Sequence, residues 1–161
     1  MVILINVLFV CLGNICRSPM AEAIFRAEVQ KNGLSSEIHV ESAGTAAWHS
    51  GKPPHEGTRN ILDKYNISYE NMYARQVEET DFTTFDYIIA MDNQNVKDIK
   101  NNYNISDHVV LKKLTDLIDD TTKENVPDPY YTGNFNETYE LVHHGVEGLL
   151  KLIKQNKEKS E

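Results

Sequence analysis

Cys11 and Arg17 stand six positions apart in the stretch VLFVCLGNICRSPMAEAIFRA, Val7 to Ala27. An apolar run stops at the cysteine, and Ser18-Pro19 follows the arginine. A turn between a strand end and a helix start aims backbone N–H groups at one point, and the helix dipole adds partial positive charge there. That is a cradle for an anion. Arg17 would add a planar, two-pronged donor matched to phosphate oxygens. A cysteine in such a cradle is favoured as the thiolate, the form that attacks. Aimed at a bound phosphoryl group, it would form a phosphocysteine. Asn14, inside the turn, is a residue type that tolerates positive φ.

A bare Cys-x5-Arg carries little by itself; the strand before it and the Ser-Pro after it give it weight. The nucleotide loop G-x-x-x-x-G-K-[ST] is absent, because Gly13 is the one glycine here and no Lys follows. Breaking a P–O bond also calls for a proton on the leaving oxygen. Asp128, held stiffly between Pro127 and Pro129, is the candidate acid, and Tyr130 and Tyr131 could wall a pocket for a ring. Taken alone, that segment also reads as an ordinary Asp-Pro turn.

Such residues need elements to position them. Residues 2–10 are rich in Val, Ile, Leu and Phe and suit a strand buried on both faces. Ser18 reads as an N-cap and Pro19 as the first helical residue, with apolar residues at helical spacing up to a C-terminal cap at Gly33. Residues 37–43 alternate as a second strand. Residues 46–57 read as loop and 58–65 as helix. A short strand is expected at 72–77, a buried one at 85–91 and another at 108–114. Residues 93–102 are helical, 116–133 acidic and irregular, and 134–156 a long amphipathic helix. Strands alternating with helices predict an α/β fold, a parallel sheet with helices on both faces. In such sheets ligands bind beyond the carboxyl ends of the strands, where Cys11, Ser42 and Asp92 fall.

The chain has 161 residues and a net charge of -8. One domain over residues 1–156 is expected, with a frayed tail at 157–161. The acidic balance argues against nucleic-acid binding and against an anionic membrane surface. An anionic substrate then needs a local positive spot. Two cysteines, Cys11 and Cys16, make neither a disulfide framework nor a zinc pattern, and suit small buried residues in a reducing cytosol. The first 13 residues lack a basic start and a cleavage site, so no signal peptide is read there. A cytoplasmic location follows, with export by a signal-less route as the alternative.

CLGNICRS with PMAEAIF, SAG at 42–44, ARQ at 74–76, FDYIIAMD at 85–92 and DPYYTGNF at 128–135 together resemble the low-molecular-weight protein tyrosine phosphatases, bacterial type. The resemblance implies a three-layer sandwich with a four-stranded parallel sheet, Rossmann-like or flavodoxin-like, with the phosphate loop after the first strand. It implies hydrolysis of phosphotyrosine in proteins without metal or other cofactor. A monomer is expected, with the oligomeric state left open by the sequence. Cys11 would be the nucleophile, Arg17 the ligand of the phosphoryl oxygens and Asp128 the acid and then the base. Leu12, Gly13, Asn14, Ile15, Cys16 and Ser18 would line the phosphate, with the Ser18 hydroxyl on the thiolate. Ser42 would brace Asn14, and Asp92 would lie behind the site. Trp48, Tyr130 and Tyr131 would wall the entrance. Cys16 would also be the redox partner of Cys11, against a plain reading as a filler residue.

Many relatives carry a His at the position of Met72, where it supports the loop, so that support is absent or comes from elsewhere. His49, His143 and His144 are not read as catalytic. Protein arginine phosphatases share the scaffold but carry a Thr where this loop has Ile15, whose branched apolar side chain favours a flat phenyl ring. Arsenate reductases need cysteines beyond Cys16. A phosphopeptide-binding module would need the arginine, but neither the cysteine nor Asp128.

Overall fold

Alternate residues of the first strand, β1 (Ile5–Cys11), feed two separate cores. Val7, Phe9 and Cys11 enter one, Leu8 and Val10 the other. That is why the strand runs apolar without a break from Val7 to Cys11 rather than alternating. The computed structural model describes residues 3–160. After β1 come α1 (Arg17–Lys31), β2 (Ile38–Gly44), α2 (Glu56–Lys64), α3 (Asp81–Thr84), β3 (Tyr87–Ala90), α4 (Asn93–Asn102) and β4 (Val110–Lys113). A 3-10 turn (Leu114–Leu117), α5 (Pro129–Thr132) and α6 (Phe135–Ser160) complete the chain.

The four strands run parallel in the order β2-β1-β3-β4. β1 is central, with Phe9 facing Ser42 on one side and Ile89 on the other. The chain leaves β1 toward β2 on one side and later returns through β3 on the other, so the switch in strand order lies at the end of β1. Helices α1 and α6 cover one face with Met20, Ile24, Phe25, Val142, Val146 and Leu149. Phe9 and Phe25 meet there edge to face at 5.7 Å, worth about 1 kcal/mol beyond their buried area. Phe82, Phe85 and Ile99 cover the opposite face. This is the expected α/β sandwich. Among the described residues no helix is long and apolar enough to cross a membrane.

Several local expectations are corrected. The first helix is capped by Cys16, not Ser18, which lies inside it. Gly33 does follow its end, at φ +68°, where a side chain would be strained. The strand expected at 72–77 reduces to one bridge, Gly44 to Gln76. The backbone there bonds elsewhere: Ala74 N–H donates to the Lys52 carbonyl, and the Ala74 carbonyl accepts from Gly51. α3 and α5 are four residues each, too short to show a period, and both went unread. β4 ends at Lys113, where its N–H takes the Asp116 carboxylate and the chain turns. α6 runs to Ser160, past the expected end at Asn156. Met1, Val2 and Glu161 lie outside the described residues, and with them the start of the first expected strand and the end of the expected tail.

Candidate active site

β1 ends at Cys11, and residues 12–16 turn the chain into α1. Asn14 takes φ +56° in that turn, a conformation Asn adopts more readily than most residues. Its side chain is tied on every side. Its Oδ1 accepts the Arg75 N–H at 3.0 Å, and its Nδ2 donates to Ser18 Oγ at 2.8 Å and Ser42 Oγ at 2.9 Å.

Ser18 Oγ accepts a hydrogen from Asn14 and lies 2.9 Å from Cys11 Sγ, a pair in which either atom can donate. Ser42 Oγ also accepts from Asn14 and donates its hydroxyl to Glu22 Oε1 at 2.6 Å. Cys11 Sγ also accepts the Asn14 N–H at 3.3 Å. The Asn14 N–H and the Ser18 hydroxyl thus both face the one sulfur. Glu22, on α1, was not read from the sequence, because a lone Glu in a helix looks like a solvated one. Burial holds its carboxyl above the ordinary range, against the pull of the Ser42 hydroxyl and Arg26.

Arg17 is 2% exposed. Its Nη1 donates to Asp92 Oδ2 at 2.6 Å and to the Val126 carbonyl at 3.0 Å. Its Nη2 reaches Asp128 Oδ2 at 3.3 Å. Its Nε has no partner among the described residues. Burial works against the charge, but Cys11, Asp128 and Asp92 outweigh it and hold the guanidinium protonated. Asp92 serves two ends: one oxygen grips Arg17, and the other caps α4 through the Asn95 N–H at 2.7 Å. Asp128 also caps α5, accepting the Tyr130 N–H on Oδ1 at 3.1 Å.

Above this floor lies a cavity of about 230 Å³. Cys11, Gly13, Ile15, Cys16, Trp48, Asp128, Tyr130 and Tyr131 line it. Trp48 and Tyr131 are largely exposed at its rim. Asn14, Arg17 and Ser18 are buried around its floor, and Leu12 stands outside its wall, its carbonyl taking the Ala46 N–H. Burial, with Cys11 and Asp128 adding to it and Arg17 opposing, pushes the Cys16 thiol up to about 12. Both cysteines are unpaired.

His49 also lines the cavity, its ring over Gly13, where an added Cβ would come within 3.0 Å of His49 Cδ2. Its neighbour Trp48 was the one available signal for it. His143 and His144 lie away on α6, facing Glu147 and Glu140. Met72 is buried in the core, with Arg26 Nη2 3.5 Å from its sulfur. The loop is braced instead by Asn14, Ser42 and the Arg75 backbone.

An anion cradle of this construction, at the switch point of a four-stranded parallel sheet, is matched among known proteins. The profile of the family described as low molecular weight phosphotyrosine protein phosphatase covers residues 6–159, and the chain belongs to that family. It is 51% identical over 155 residues to the low molecular weight protein-tyrosine-phosphatase YfkJ of Bacillus subtilis, spanning 96% of this chain and 99% of that one. The crystal structure of YfkJ superposes with a TM-score of 0.92 over 96% of this chain and 97% of that chain. PtpA of Staphylococcus aureus, named likewise, is 46% identical over 151 residues, 93% of this chain and 94% of PtpA. A Drosophila arginine phosphatase shares 34% identity and a TM-score of 0.85, over 92% of this chain and 97% of its own.

Proposed function

We propose that the chain hydrolyses phosphotyrosine in proteins through a phosphocysteine on Cys11. The observation that carries this reading is the buried Arg17 guanidinium, fixed on Nη1 by Asp92 and Val126, with no partner for its Nε among the described residues, and electrostatically coupled to Cys11. A buried donor without an acceptor is costly, and a phosphoryl oxygen satisfies it.

The Cys11 thiolate attacks phosphorus while the phenolate oxygen leaves and takes a proton from Asp128. Asp128, now a carboxylate, draws a proton from water, which attacks the phosphocysteine and releases phosphate. The Ser18 hydroxyl steadies the sulfur as attacker and as leaving group. Arg17 and the backbone N–H groups from Leu12 to Ser18 take the charge that spreads over the phosphoryl oxygens. The first turn of a helix leaves such N–H groups without intrahelical acceptors. The phenyl ring stands among Ile15, Trp48, Tyr130 and Tyr131.

Ile15, 9% exposed and in the cavity wall, favours a flat ring over a guanidinium and supports phosphotyrosine over phosphoarginine. A binding module has no use for Asp128 against Arg17, and arsenate reduction lacks a third cysteine. Phosphotyrosine-containing proteins are the partners, and the working unit is a monomer in a reducing cytoplasm, which suits two unpaired cysteines.

Phosphate release in EDTA from matched phosphotyrosine, phosphoarginine and phosphoserine peptides tests this, with Cys11→Ser as control. Fast, Cys11-dependent release from phosphotyrosine alone is expected. A preference for phosphoarginine would keep the chemistry and overturn the substrate. Release by Cys11→Ser at the wild-type rate would overturn the nucleophile.

A further inference from the structure

His55 touches the phosphate loop, α2, the start of α6 and Tyr130. Its backbone N–H donates to the Ile15 carbonyl in the phosphate loop at 2.7 Å. Its Nδ1 accepts the Gly57 N–H at 3.0 Å and so caps α2, which leaves the ring proton on Nε2. One face of the ring stacks on Phe135, at the start of α6, with centroids 5.2 Å apart and planes at 19°. The Tyr130 ring meets it edge to face, at 6.0 Å and 77°. Phe135 is itself seated hard on α2: a Cβ on Gly57 would come within 2.4 Å of its ring.

Tyr130 is the route to Asp128. The Asp128 carboxylate has two anchors, the Tyr130 N–H on Oδ1 and Arg17 Nη2 on Oδ2. A phosphoryl oxygen arriving at Arg17 competes for the second. The first then has to hold the acid over the leaving oxygen, and its strength depends on where Tyr130 stands. Tyr130 is 53% exposed and sits in a four-residue helix, so its ring contacts are its main tertiary hold: His55 on one side and His49, at 6.1 Å and 49°, on the other, of which only His55 also ties to the phosphate loop and α6.

We propose that His55 is a positioning residue, holding Tyr130 and through it Asp128 in register with the phosphate loop when substrate displaces the bond to Arg17. The inference rests on the reading of Asp128 as the acid. It separates two jobs of one side chain: the cap belongs to Nδ1, the positioning to the ring.

The test is kcat/KM over aryl phosphates of rising leaving-group pKa, for wild type, Asp128→Asn, His55→Asn and His55→Phe. Asn keeps a capping oxygen and removes the ring; Phe keeps a ring and removes the cap. His55→Asn should lose about tenfold on the poorest leaving group and less than about twofold on the best. His55→Phe should keep the wild-type dependence and lower Tm. A wild-type dependence in His55→Asn, or an equal steepening in His55→Phe, would overturn the proposal. Asp128→Asn should steepen most of all; if it does not, the acid reading fails and this inference falls with it. If His55→Asn does not fold, Tyr130→Leu removes the other ring of the same contact and leaves the α2 cap in place. Steepening there supports the proposal, and a wild-type slope overturns it.

Discussion

Arg17 Nη2 and Asp128 Oδ2 stand 3.3 Å apart across the floor of the cavity, so the anion ligand and the proposed acid share one bond. The two residues lie 111 positions apart in sequence. Both are low in exposure, Arg17 at 3% and Asp128 at 22% by side chain, so solvent screens the pair only in part. A dianion entering the cradle takes up the positive charge that now faces Asp128. The proposed anion ligand and the proposed acid are thus linked through a single guanidinium.

Asp92→Asn should weaken the site without unfolding it. Asp92 grips Arg17 Nη1 at 2.6 Å, and an amide oxygen there still accepts but carries no charge. A loss of about 2 kcal/mol, roughly thirtyfold in kcat/KM, is expected, the usual worth of a hydrogen bond to a charged group. Steady-state kinetics on an aryl phosphate would show it. An unchanged kcat/KM would mean that Val126 alone positions the guanidinium.

Glu22 should give the fold a pH dependence of definite sign. Burial raises its carboxyl, with the Ser42 hydroxyl and Arg26 opposing. The folded chain therefore keeps a proton that the unfolded chain has released, so this group's contribution to stability falls as pH rises through that interval. Below it the group is neutral in both states and the effect vanishes. Glu22→Gln keeps an acceptor for Ser42, and its Tm should gain on wild type as pH goes from about 4 to about 7. A difference flat in pH, or of the opposite slope, counts against the buried carboxyl.

Cys16, pushed up to about 12, should stay a thiol at pH 8. Iodoacetamide there should label Cys11 and spare Cys16, as read by mass spectrometry. After peroxide, Cys16 is expected to capture oxidised Cys11 as a disulfide that a thiol reductant reverses. Cys16→Ser should then recover less activity than wild type. Equal recovery ends the protective role, and rapid labelling of Cys16 contradicts its burial.

Gly148→Ala should destabilise the chain by about 3 kcal/mol in urea unfolding. The added Cβ would lie 2.0 Å from the Leu117 carbonyl oxygen, and backbone cannot swing aside as a side chain does. A cost below about 0.5 kcal/mol would mean that α6 and the 3-10 turn are free to separate.

The sequence by itself determined what is local. Cys11, the turn with Asn14, and Arg17 lie within seven residues, and strand, turn and helix start are set by neighbours in the chain. The alternation of strands and helices, read from periodicity, is enough for the parallel α/β sheet. Asp92, Ser42 and Asp128 were legible because they fall at strand ends or in a family motif. Tertiary structure decided the partners. Ser18 reads as a cap by type, yet its hydroxyl is drawn to the Cys11 sulfur, and Cys16 takes the cap position. Glu22 and His55 carry no local signal at all, and His49 only that of its neighbour Trp48. Their roles come from Ser42, Gly13 and the Tyr130–Phe135 rings, which approach only when β2, the loop before α2 and the start of α6 close on one another. A hydrogen bond or a ring contact depends on distances of a few ångströms between residues many positions apart. No periodicity along the chain encodes such a distance; the packing of the two cores does.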